Sequence, residues 1–251
     1  MGCLTWKYQV LCVLSMLFLH SPSSFSSFLS SNSQCSALLQ FNNSLSLSNF
    51  ASFPLGGSIG RPGDFIFSPN FHLCDTSYPK TASWKEDKHC CSWDGVQCDK
   101  NTGHVIGLDL SCSWLSGTID SNSMLFLLRH LRTLNLAGND FYPSLLSSEF
   151  GQFKSLTHLN LSHSSFDSQM PHEISQLSSL VSLDLSYNWL SIETPVWNNL
   201  TLLRELLLDS TNMSLIRPKS LMNLSSSLTT LSLRGCFLWG KLEIRDRKSV
   251  V

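Results

Sequence analysis

The sequence has few charged residues and no excess of either sign. Asp, Glu, Lys and Arg make up 14% of its 251 residues, and its formal net charge at pH 7 is −1, whereas a typical soluble protein has about 25% charged residues. Nucleic-acid-binding proteins need a basic surface, and charged tails appear as runs of like charge. Neither feature is present, so we expect no nucleic-acid partner.

The sequence also lacks several signatures that identify common enzymes and redox proteins. It has no G-x-G-x-x-G, no G-x-x-x-x-G-K-[ST] and no H-E-x-x-H motif, and it has no C-x-x-C pair. Such motifs supply phosphate-binding loops, metal ligands and redox thiols. Serine is abundant, but no arrangement of a serine with a base is recognisable. We therefore predict that the protein is not an enzyme and has no cofactor or metal.

No apolar run of the sequence is long enough to cross a bilayer, which requires roughly 20 residues. A shorter apolar segment of twelve residues, Tyr8–Leu19, follows Lys7, and a serine-rich stretch comes after it. This arrangement is typical of a secretory signal peptide, which we place at residues 1–28. The alternative is an uncleaved membrane anchor. Secretion would bring the rest of the chain into an oxidising compartment, where disulfides form.

From residue 105 the sequence repeats itself with a period of 23 to 26 residues. Six segments share the pattern LxxLxLxx(N/C)xL, with apolar residues at repeat positions 1, 4, 6 and 11. The segments are Val105–Leu115, Leu131–Phe141, Leu156–Phe166, Leu180–Leu190, Leu203–Met213 and Leu228–Leu238. This pattern is typical of leucine-rich repeats, in which each repeat supplies one short strand. A single repeat cannot bury its leucines, so the repeats are expected to stack into a solenoid.

Position 9 of each repeat is expected to turn the chain away from the sheet. An asparagine there can bond the backbone of the neighbouring turn, and Asn139 and Asn188 occupy this position. The remaining repeats have Ser113, Ser164, Thr211 and Cys236 at position 9. Cysteine is an accepted alternative there. We interpret Cys236 as a buried, unpaired structural thiol rather than as a reactive nucleophile.

The second half of several repeats carries a proline or a glycine at a fixed position. Pro171, Pro195 and Pro218 stand at position 16, and Gly117 and Gly240 stand at position 13. The resulting pattern LxxLxLxxNxLxGxIPxxLxxL resembles the plant-specific leucine-rich repeat, although several repeats lack the glycine, the proline or both. Upstream, CSALLQF and CCSWDGVQC resemble the N-terminal cap that precedes these repeats. The chain as a whole is similar to plant leucine-rich repeat receptor-like proteins.

This resemblance implies the fold class and the domain organisation. The expected fold is an α/β leucine-rich repeat solenoid, right-handed, with a parallel concave sheet and a disulfide-linked N-terminal cap. We place the cap at residues 29–104, including a proline- and glycine-rich loop insertion at 49–80. Five full repeats and one partial repeat occupy residues 105–242, and a non-repeat tail occupies 243–251.

The cysteines outside the signal peptide are seven in number, because two of the nine, Cys3 and Cys12, fall within it. The resemblance to the cap implies two bridges around its CC pair, and vicinal cysteines are themselves poorly placed to bond each other. Elimination then provides a third bridge. The expected disulfides are Cys35–Cys90, Cys91–Cys98 and Cys74–Cys112. Zinc is a weaker interpretation, because zinc sites favour Cys-x₂₋₄-Cys pairs.

Two sets of polar residues are candidate functional sites. Asn-x-Ser/Thr sequons, which are glycosylation acceptors in a secreted protein, occur at Asn42, Asn160, Asn199, Asn212 and Asn223. Positions 2, 3, 5, 7 and 8 of the repeats are expected to face the concave side, where solenoids bind partners. The candidate ligand face comprises Arg132, Asn135, His158, Asp184, Tyr187, Arg204, Glu205 and Arg234. The alternative is a solvated face without a ligand. His158 and His163 are likewise interpreted as solvated polar residues rather than as metal ligands or catalytic groups.

The resemblance also implies a function. Receptor-like proteins bind extracellular peptide, protein or microbial ligands in immune or developmental signalling, together with membrane co-receptor kinases. They normally continue through more repeats to a C-terminal anchor, so we predict a truncated product. Its expected location is the extracellular face of the plasma membrane in the full-length family, or the apoplast if it is truncated. The alternatives are a soluble apoplastic binder resembling polygalacturonase inhibitors, or a non-functional gene fragment.

Overall fold

The computed structural model of the protein describes residues 31–49, 74 and 76–240. The signal peptide predicted at 1–28 and the tail predicted at 243–251 lie outside the described residues, as does most of the loop insertion. Among the described residues, no helix combines the length and the apolar character needed to cross a membrane.

The described chain begins with helix α1 (Ser31–Asn43). Leu38 and Phe41 of this helix are fully buried against the first repeat. Gln34, which is also buried, accepts a hydrogen bond from the Val105 amide at 2.8 Å through its side-chain oxygen. The helix is therefore fixed to the start of the first repeat by both apolar and polar contacts.

The chain has eleven short strands among the described residues. They are β1 (Ser46–Leu47), β2 (Val96–Cys98), β3 (Val105–Asp109), β4 (Leu115–Ser116), β5 (Thr133–Asn135), β6 (His158–Asn160), β7 (Asp167–Gln169), β8 (Ser182–Asp184), β9 (Trp189–Ser191), β10 (Glu205–Leu207) and β11 (Thr230–Ser232). Seven of them form one sheet in the order β2-β3-β5-β6-β8-β10-β11. All neighbours in this sheet are parallel except β2, which runs antiparallel to β3 and covers its edge.

The register of this sheet places equivalent repeat positions side by side. The leucine at position 4 of each repeat pairs with the leucine at position 4 of the next, as in Leu159 with Leu183 and Leu206 with Leu231. Leu159, Leu183 and Leu206 are at most 1% exposed, whereas Leu231 in the last described strand is 42% exposed. Burial of the leucine column therefore comes from the neighbouring repeat on each side.

The convex side is built from 3₁₀ turns rather than α-helices. They span Met124–Leu127, Ser148–Gln152, His172–Gln176, Trp197–Asn199 and Pro218–Asn223. Buried phenylalanines fill the space between these turns and the sheet, and Phe126 and Phe150 meet edge to face with centroids 5.2 Å apart. A leucine-rich repeat solenoid with a parallel sheet, as the sequence predicted, is confirmed.

Position 9 forms a buried hydrogen-bond ladder between turns. The Asn139 side chain accepts from the amides of Ser113 at 3.1 Å and Leu115 at 3.0 Å, and it donates to the Leu110 and Leu136 carbonyls at 2.8 and 2.9 Å. Asn188 repeats the same four contacts two repeats further on. Each asparagine therefore bonds its own turn and the turn of the repeat before it.

Other residues at position 9 fill the ladder less completely. The Cys236 thiol donates to the Leu208 carbonyl at 2.9 Å, and burial raises the pKa of this thiol above its usual value. Cys236 is buried and unpaired, which agrees with its interpretation as a structural thiol. Thr211 differs, because its hydroxyl is buried and has no hydrogen-bond partner among the described residues.

The cap is held together by three disulfides and a pair of tryptophans. The disulfides join Cys35 to Cys90, Cys74 to Cys112 and Cys91 to Cys98, which are the pairs expected from the sequence. Trp84 and Trp93 are buried and stacked with ring centroids 5.2 Å apart. The CC pair therefore connects the cap helix on one side to β2, and so to the first repeat, on the other.

Candidate functional site

The loop that follows each concave strand has a recurring left-handed backbone at position 8. The six residues at this position have φ values between 51° and 67°, and they are Cys112, Gly138, His163, Tyr187, Ser210 and Gly235. In the first five repeats the amide of this residue donates to the carbonyl at position 7 of the following repeat, as Tyr187 does to Asp209 at 2.7 Å. Non-glycine residues accept this conformation because the hydrogen bond to the next repeat holds the turn in place.

Position 5 forms a second regular column on the concave face. In the first four repeats a side-chain oxygen at this position accepts the amide of the residue two places later. The four acceptors are Asp109, Asn135, Asn160 and Asp184. Leu207 interrupts the column in the fifth repeat, so that an apolar side chain stands beside Asp184 at the strand ends. The position-5 column is therefore polar along most of its length, with one apolar member.

An open pocket of about 330 Å³ lies at this interruption. Its walls come from positions 5, 7 and 8 of the third to sixth repeats. They include His163, Asp184, Tyr187, Leu207, Asp209 and Arg234. Position 8 supplies the aromatic wall, position 7 supplies Asp209 and Arg234, and position 5 supplies Asp184 and Leu207.

Two stacked rings form the aromatic wall of the pocket. The His163 and Tyr187 rings lie nearly parallel, at 17°, with centroids 4.3 Å apart. Burial lowers the pKa of His163 to about 4, so this imidazole is neutral at physiological pH. Tyr187 covers it from the outside and is 39% exposed itself. The wall therefore offers one accessible aromatic face without a positive charge.

Carboxylates line the opposite part of the pocket. Asp209 is 8% exposed, and its Oδ1 accepts from the Ser232 hydroxyl at 2.6 Å and the Arg234 amide at 2.7 Å. Asp184 accepts from the Ser186 amide at 3.0 Å. Burial raises the pKa of Asp184, and the nearby charge of Glu205 raises it further, against the hydrogen bonds from Ser186. Neither carboxylate forms an ion pair among the described residues.

The cap occupies the concave face at the first repeat. Lys80 places its Nζ 3.1 Å from Oδ1 of Asp109 and also donates to the Asp109 carbonyl at 3.2 Å. Trp114 donates through its indole nitrogen to Ser77 Oγ at 3.0 Å. Burial alone would raise the pKa of Asp109, but the bonds from Ser111 and the Lys80 charge outweigh it and lower the pKa. The cap therefore contacts the concave side of the first repeat, where the Asp109 side chain remains partly exposed.

The predicted ligand face is partly gathered into this pocket. Asp184, Tyr187 and Arg234 line it, and Glu205 lies close enough to influence Asp184. The other predicted residues stand on the same face outside the pocket, and they are Arg132, Asn135, His158 and Arg204. Sequence reasoning missed Asp209 and Leu207, although both stand at positions that it assigned to the concave face. A search for departures from the column pattern, such as a leucine at position 5, would have found them.

The two concave histidines do not form a common site. His158 is exposed on β6 with its Nδ1 2.9 Å from the Thr157 hydroxyl. His163 follows the strand, in the left-handed turn, and lines the pocket.

A possible metal cluster in the cap comprises Cys35, His89 and Cys90. His89 lies 3.9 Å from the sulfur of Cys35, but that sulfur is bonded to Cys90. A disulfide does not supply the thiolates that metal ions bind, so this cluster is not a metal site.

The glycosylation sequons differ in their surroundings. Asn199 and Asn212 are exposed, Asn42 is partly exposed on α1, and Asn223 ends a convex turn. Asn160 stands on the concave face, pairs with Asp184 in the neighbouring strand, and accepts from both the amide and the hydroxyl of Ser162. Their glycosylation remains a prediction.

One short motif belongs to the loop insertion. Residues 56–60 read GGSIG, which matches the nucleophile pattern G-x-S-x-G. In hydrolases that pattern stands on a turn between a strand and a helix, whereas here it lies in a glycine- and proline-rich loop without apolar periodicity. The motif lies outside the described residues, and we assign no chemistry to it.

Comparison with known proteins connects this geometry to a family. The family model described as Leucine Rich Repeat matches residues 155–177. Receptor-like protein 6 of Arabidopsis thaliana is 38% identical over 90% of this chain and 23% of its own length. Receptor-like proteins 9DC1 and Cf-9 of Solanum pimpinellifolium are 43% and 42% identical over 98% and 95% of this chain, and over 27% and 26% of their own lengths.

Solved structures give the same fold. The BIR2 ectodomain of Arabidopsis thaliana aligns with a TM-score of 0.54 at 19% identity, over 83% of this chain and 98% of that one. A chain of the BIR3–SERK2 complex aligns with a TM-score of 0.52 at 25% identity, over 80% and 95%. The chain spans about a quarter of the length of the curated relatives that it matches. The chain has the leucine-rich repeat fold and is similar to plant receptor-like proteins over that part of their length.

Proposed function

We propose that the chain is an extracellular recognition module of a receptor-like protein and binds a peptide or protein ligand on its concave face. The observation that carries this proposal is the open pocket, in which an exposed aromatic ring and two carboxylates interrupt an otherwise regular polar surface. Binding sites combine apolar or aromatic contact area with a few convergent polar groups. Defence or developmental signalling is the context that the relationship to receptor-like proteins suggests.

A membrane co-receptor kinase is the second partner in this proposal. The support is a chain of the BIR3–SERK2 complex, which resembles this chain over 80% of its residues. That complex joins two proteins in one assembly, as its name states. We assign no catalytic role to this chain, because receptor-like relatives and the concave pocket both favour recognition over chemistry.

Ligand recognition is testable with a library of random twelve-residue peptides displayed on phage and selected against the secreted chain. We expect enriched peptides whose binding falls at least tenfold in Tyr187→Ala, because that change removes the exposed ring. Lys219→Ala, at an exposed position of a convex turn, is the matched control and should bind as the wild type does. The proposal is contradicted if no peptide is selected, or if Lys219→Ala weakens binding and Tyr187→Ala does not.

The extracellular location has its own test. Expression of the full chain in plant cells is expected to release a product into the apoplastic fluid that lacks about the first 28 residues and shrinks on treatment with a peptide N-glycosidase. Retention inside the cells with an intact N-terminus contradicts it.

A further inference from the structure

We propose that the concave pocket binds the ammonium group of a lysine side chain in an extracellular peptide, between the carboxylates of Asp184 and Asp209 and the ring of Tyr187. This inference rests on the function proposed above and adds the chemical class of the group that is recognised.

An internal ion pair shows how such an ammonium is bound on this surface. Asp109 and Asp184 stand at position 5 of the first and fourth repeats, and each accepts the amide two residues later at 3.0 Å. Their side chains are therefore held in the same way. At Asp109 the chain itself supplies an ammonium, the Nζ of Lys80, at 3.1 Å. At Asp184 no ion pair is present among the described residues, although the carboxylate lines an open pocket.

The surroundings of Asp184 favour a cation over any other ligand group. Three carboxylates are grouped here, since Asp209 lines the same pocket and Glu205 raises the pKa of Asp184 through its charge. The only cationic side chain in the pocket wall is Arg234, and its guanidinium makes no ion pair among the described residues. Arg234 instead contributes its backbone amide to Asp209. A ligand cation would therefore pair with carboxylates that have no ion-pair partner among the described residues.

The remaining walls fit the uncharged part of a lysine. Leu207 is the apolar residue at position 5 and offers a surface for the four methylenes of the stem, which lysine buries while its charge remains in polar surroundings. The exposed ring of Tyr187 adds a face to which an ammonium is attracted. Since His163 behind it is neutral at physiological pH, this imidazole adds no positive charge that would oppose a bound cation.

The experiment uses the secreted chain and a small probe, Nα-acetyl-lysine methylamide, followed by NMR of the histidine ring protons. The signals of His163 are assigned from their loss in His163→Asn, since asparagine accepts a positive φ. We expect a saturable shift of these signals with a Kd in the millimolar range, on the order expected for so small a ligand. The neutral norleucine analogue should bind at least tenfold more weakly.

Variants locate the interaction. Asp184→Asn and Asp209→Asn should each weaken lysine binding about tenfold, and both keep an oxygen that accepts the existing hydrogen bonds, so that the fold is preserved. Asp167→Asn on β7, outside the pocket, is the matched control and should not change the Kd. Equal binding of lysine and norleucine probes, stronger binding of Nα-acetyl-glutamate methylamide, or unchanged binding in Asp184→Asn overturns the proposal.

The outcome is separable from that of the peptide selection. Selected peptides that require Tyr187 but contain no lysine would refute the ammonium site and leave the recognition function standing. Binding of the lysine probe together with a failed selection would support the site and count against the recognition function.

Discussion

The imidazole of His163 is stacked on the phenol ring of Tyr187, with centroids 4.3 Å apart and planes inclined by 17°. The two residues stand at position 8 of consecutive repeats, and both have a left-handed backbone, with φ of 53° and 56°. Since parallel strands lie about 4.8 Å apart, equal backbone geometry in neighbouring repeats brings their side chains to stacking distance. Repetition of the backbone is therefore what creates the aromatic wall.

The first prediction concerns the pH dependence of stability. Burial lowers the pKa of His163 from 6.5 to about 4, so the unfolded state takes up a proton at a higher pH than the folded state. The contribution of His163 to the free energy of unfolding is therefore highest above pH 6.5, where His163 is neutral in both states. It falls by about 3 kcal/mol at most as the pH drops from 6.5 to about 4. Between pH 7 and pH 4.5, the free energy of unfolding should fall less in His163→Asn than in the wild type. Urea denaturation of both proteins at each pH measures this difference.

Other groups around His163 also titrate, so the comparison must be made between proteins at each pH. Asp184 has a raised pKa and contributes in the opposite direction, because the folded state binds its proton first and gains stability as the pH falls. Asp209, Tyr187 and Arg234 line the same pocket. These three residues are the same in wild type and variant. An identical pH dependence in both proteins would contradict the role assigned to His163.

The second prediction concerns the ladder at position 9. Asn139→Ala removes the acceptor for two amides, those of Ser113 and Leu115, and the donor for two carbonyls. Because these groups are buried, leaving them unpaired should lower the free energy of unfolding by about 3 kcal/mol. Asn135→Ala on the concave face removes one partly exposed bond and should cost less than about 1 kcal/mol. Urea denaturation measures the free energy of unfolding of both variants. Equal losses in the two would contradict the stabilising role of the ladder.

The third prediction concerns the hydroxyl of Thr211, which is buried without a partner among the described residues. Thr211→Val keeps the shape and removes the unpaired polar atom, so we expect a gain of about 1 kcal/mol in the free energy of unfolding. Ser164→Ala is the converse control, because its hydroxyl donates to the Leu136 carbonyl at 2.9 Å, and it should be destabilising. A loss of stability in Thr211→Val would show that this hydroxyl does have a partner.

The fourth prediction compares two glycines with left-handed backbones. Gly95, in the cap, has φ of 78°, and a Cβ there would overlap the Asp109 carbonyl oxygen. Gly235 has φ of 66°, but the nearest atom to its Cβ would be 3.6 Å away. Gly235→Ala should therefore cost only the backbone strain, about 1 kcal/mol, whereas Gly95→Ala should cost about 3 kcal/mol or more. Similar melting temperatures for the two variants would contradict the close approach of cap and first repeat.

Local patterns in the sequence predicted the repeating part of this fold well. Leucines at positions 4 and 6 identify the buried side of each strand because alternate residues face the same way, and the cysteine pairs agree with those expected. The convex 3₁₀ turns were not predicted, since short segments between strands carry no clear period. The contact of Lys80 with Asp109 was also missed, because it joins residues whose proximity depends on how the cap folds back over the sheet.

The candidate site was predicted only in part, for a related reason. Position 8 was assigned to the concave face, but the left-handed turn at Tyr187 has no sequence signal, since tyrosine rarely adopts that conformation. Asp209 was overlooked because its importance comes from its burial and its bonds to the sixth repeat. Both features depend on contacts between repeats, which a motif within one repeat does not contain.

The ladder at position 9 and the residues of the pocket have separate places in the repeat. Asn139 and Asn188 bond only backbone groups, and none of the pocket residues stands at their position. Exchange of side chains at positions 5, 7 and 8 therefore leaves the hydrogen-bond ladder at position 9 in place. Gene copies that diverge at these positions would acquire new ligand preferences while retaining this ladder, so recognition in such a lineage can change without loss of the bonds that join one repeat to the next.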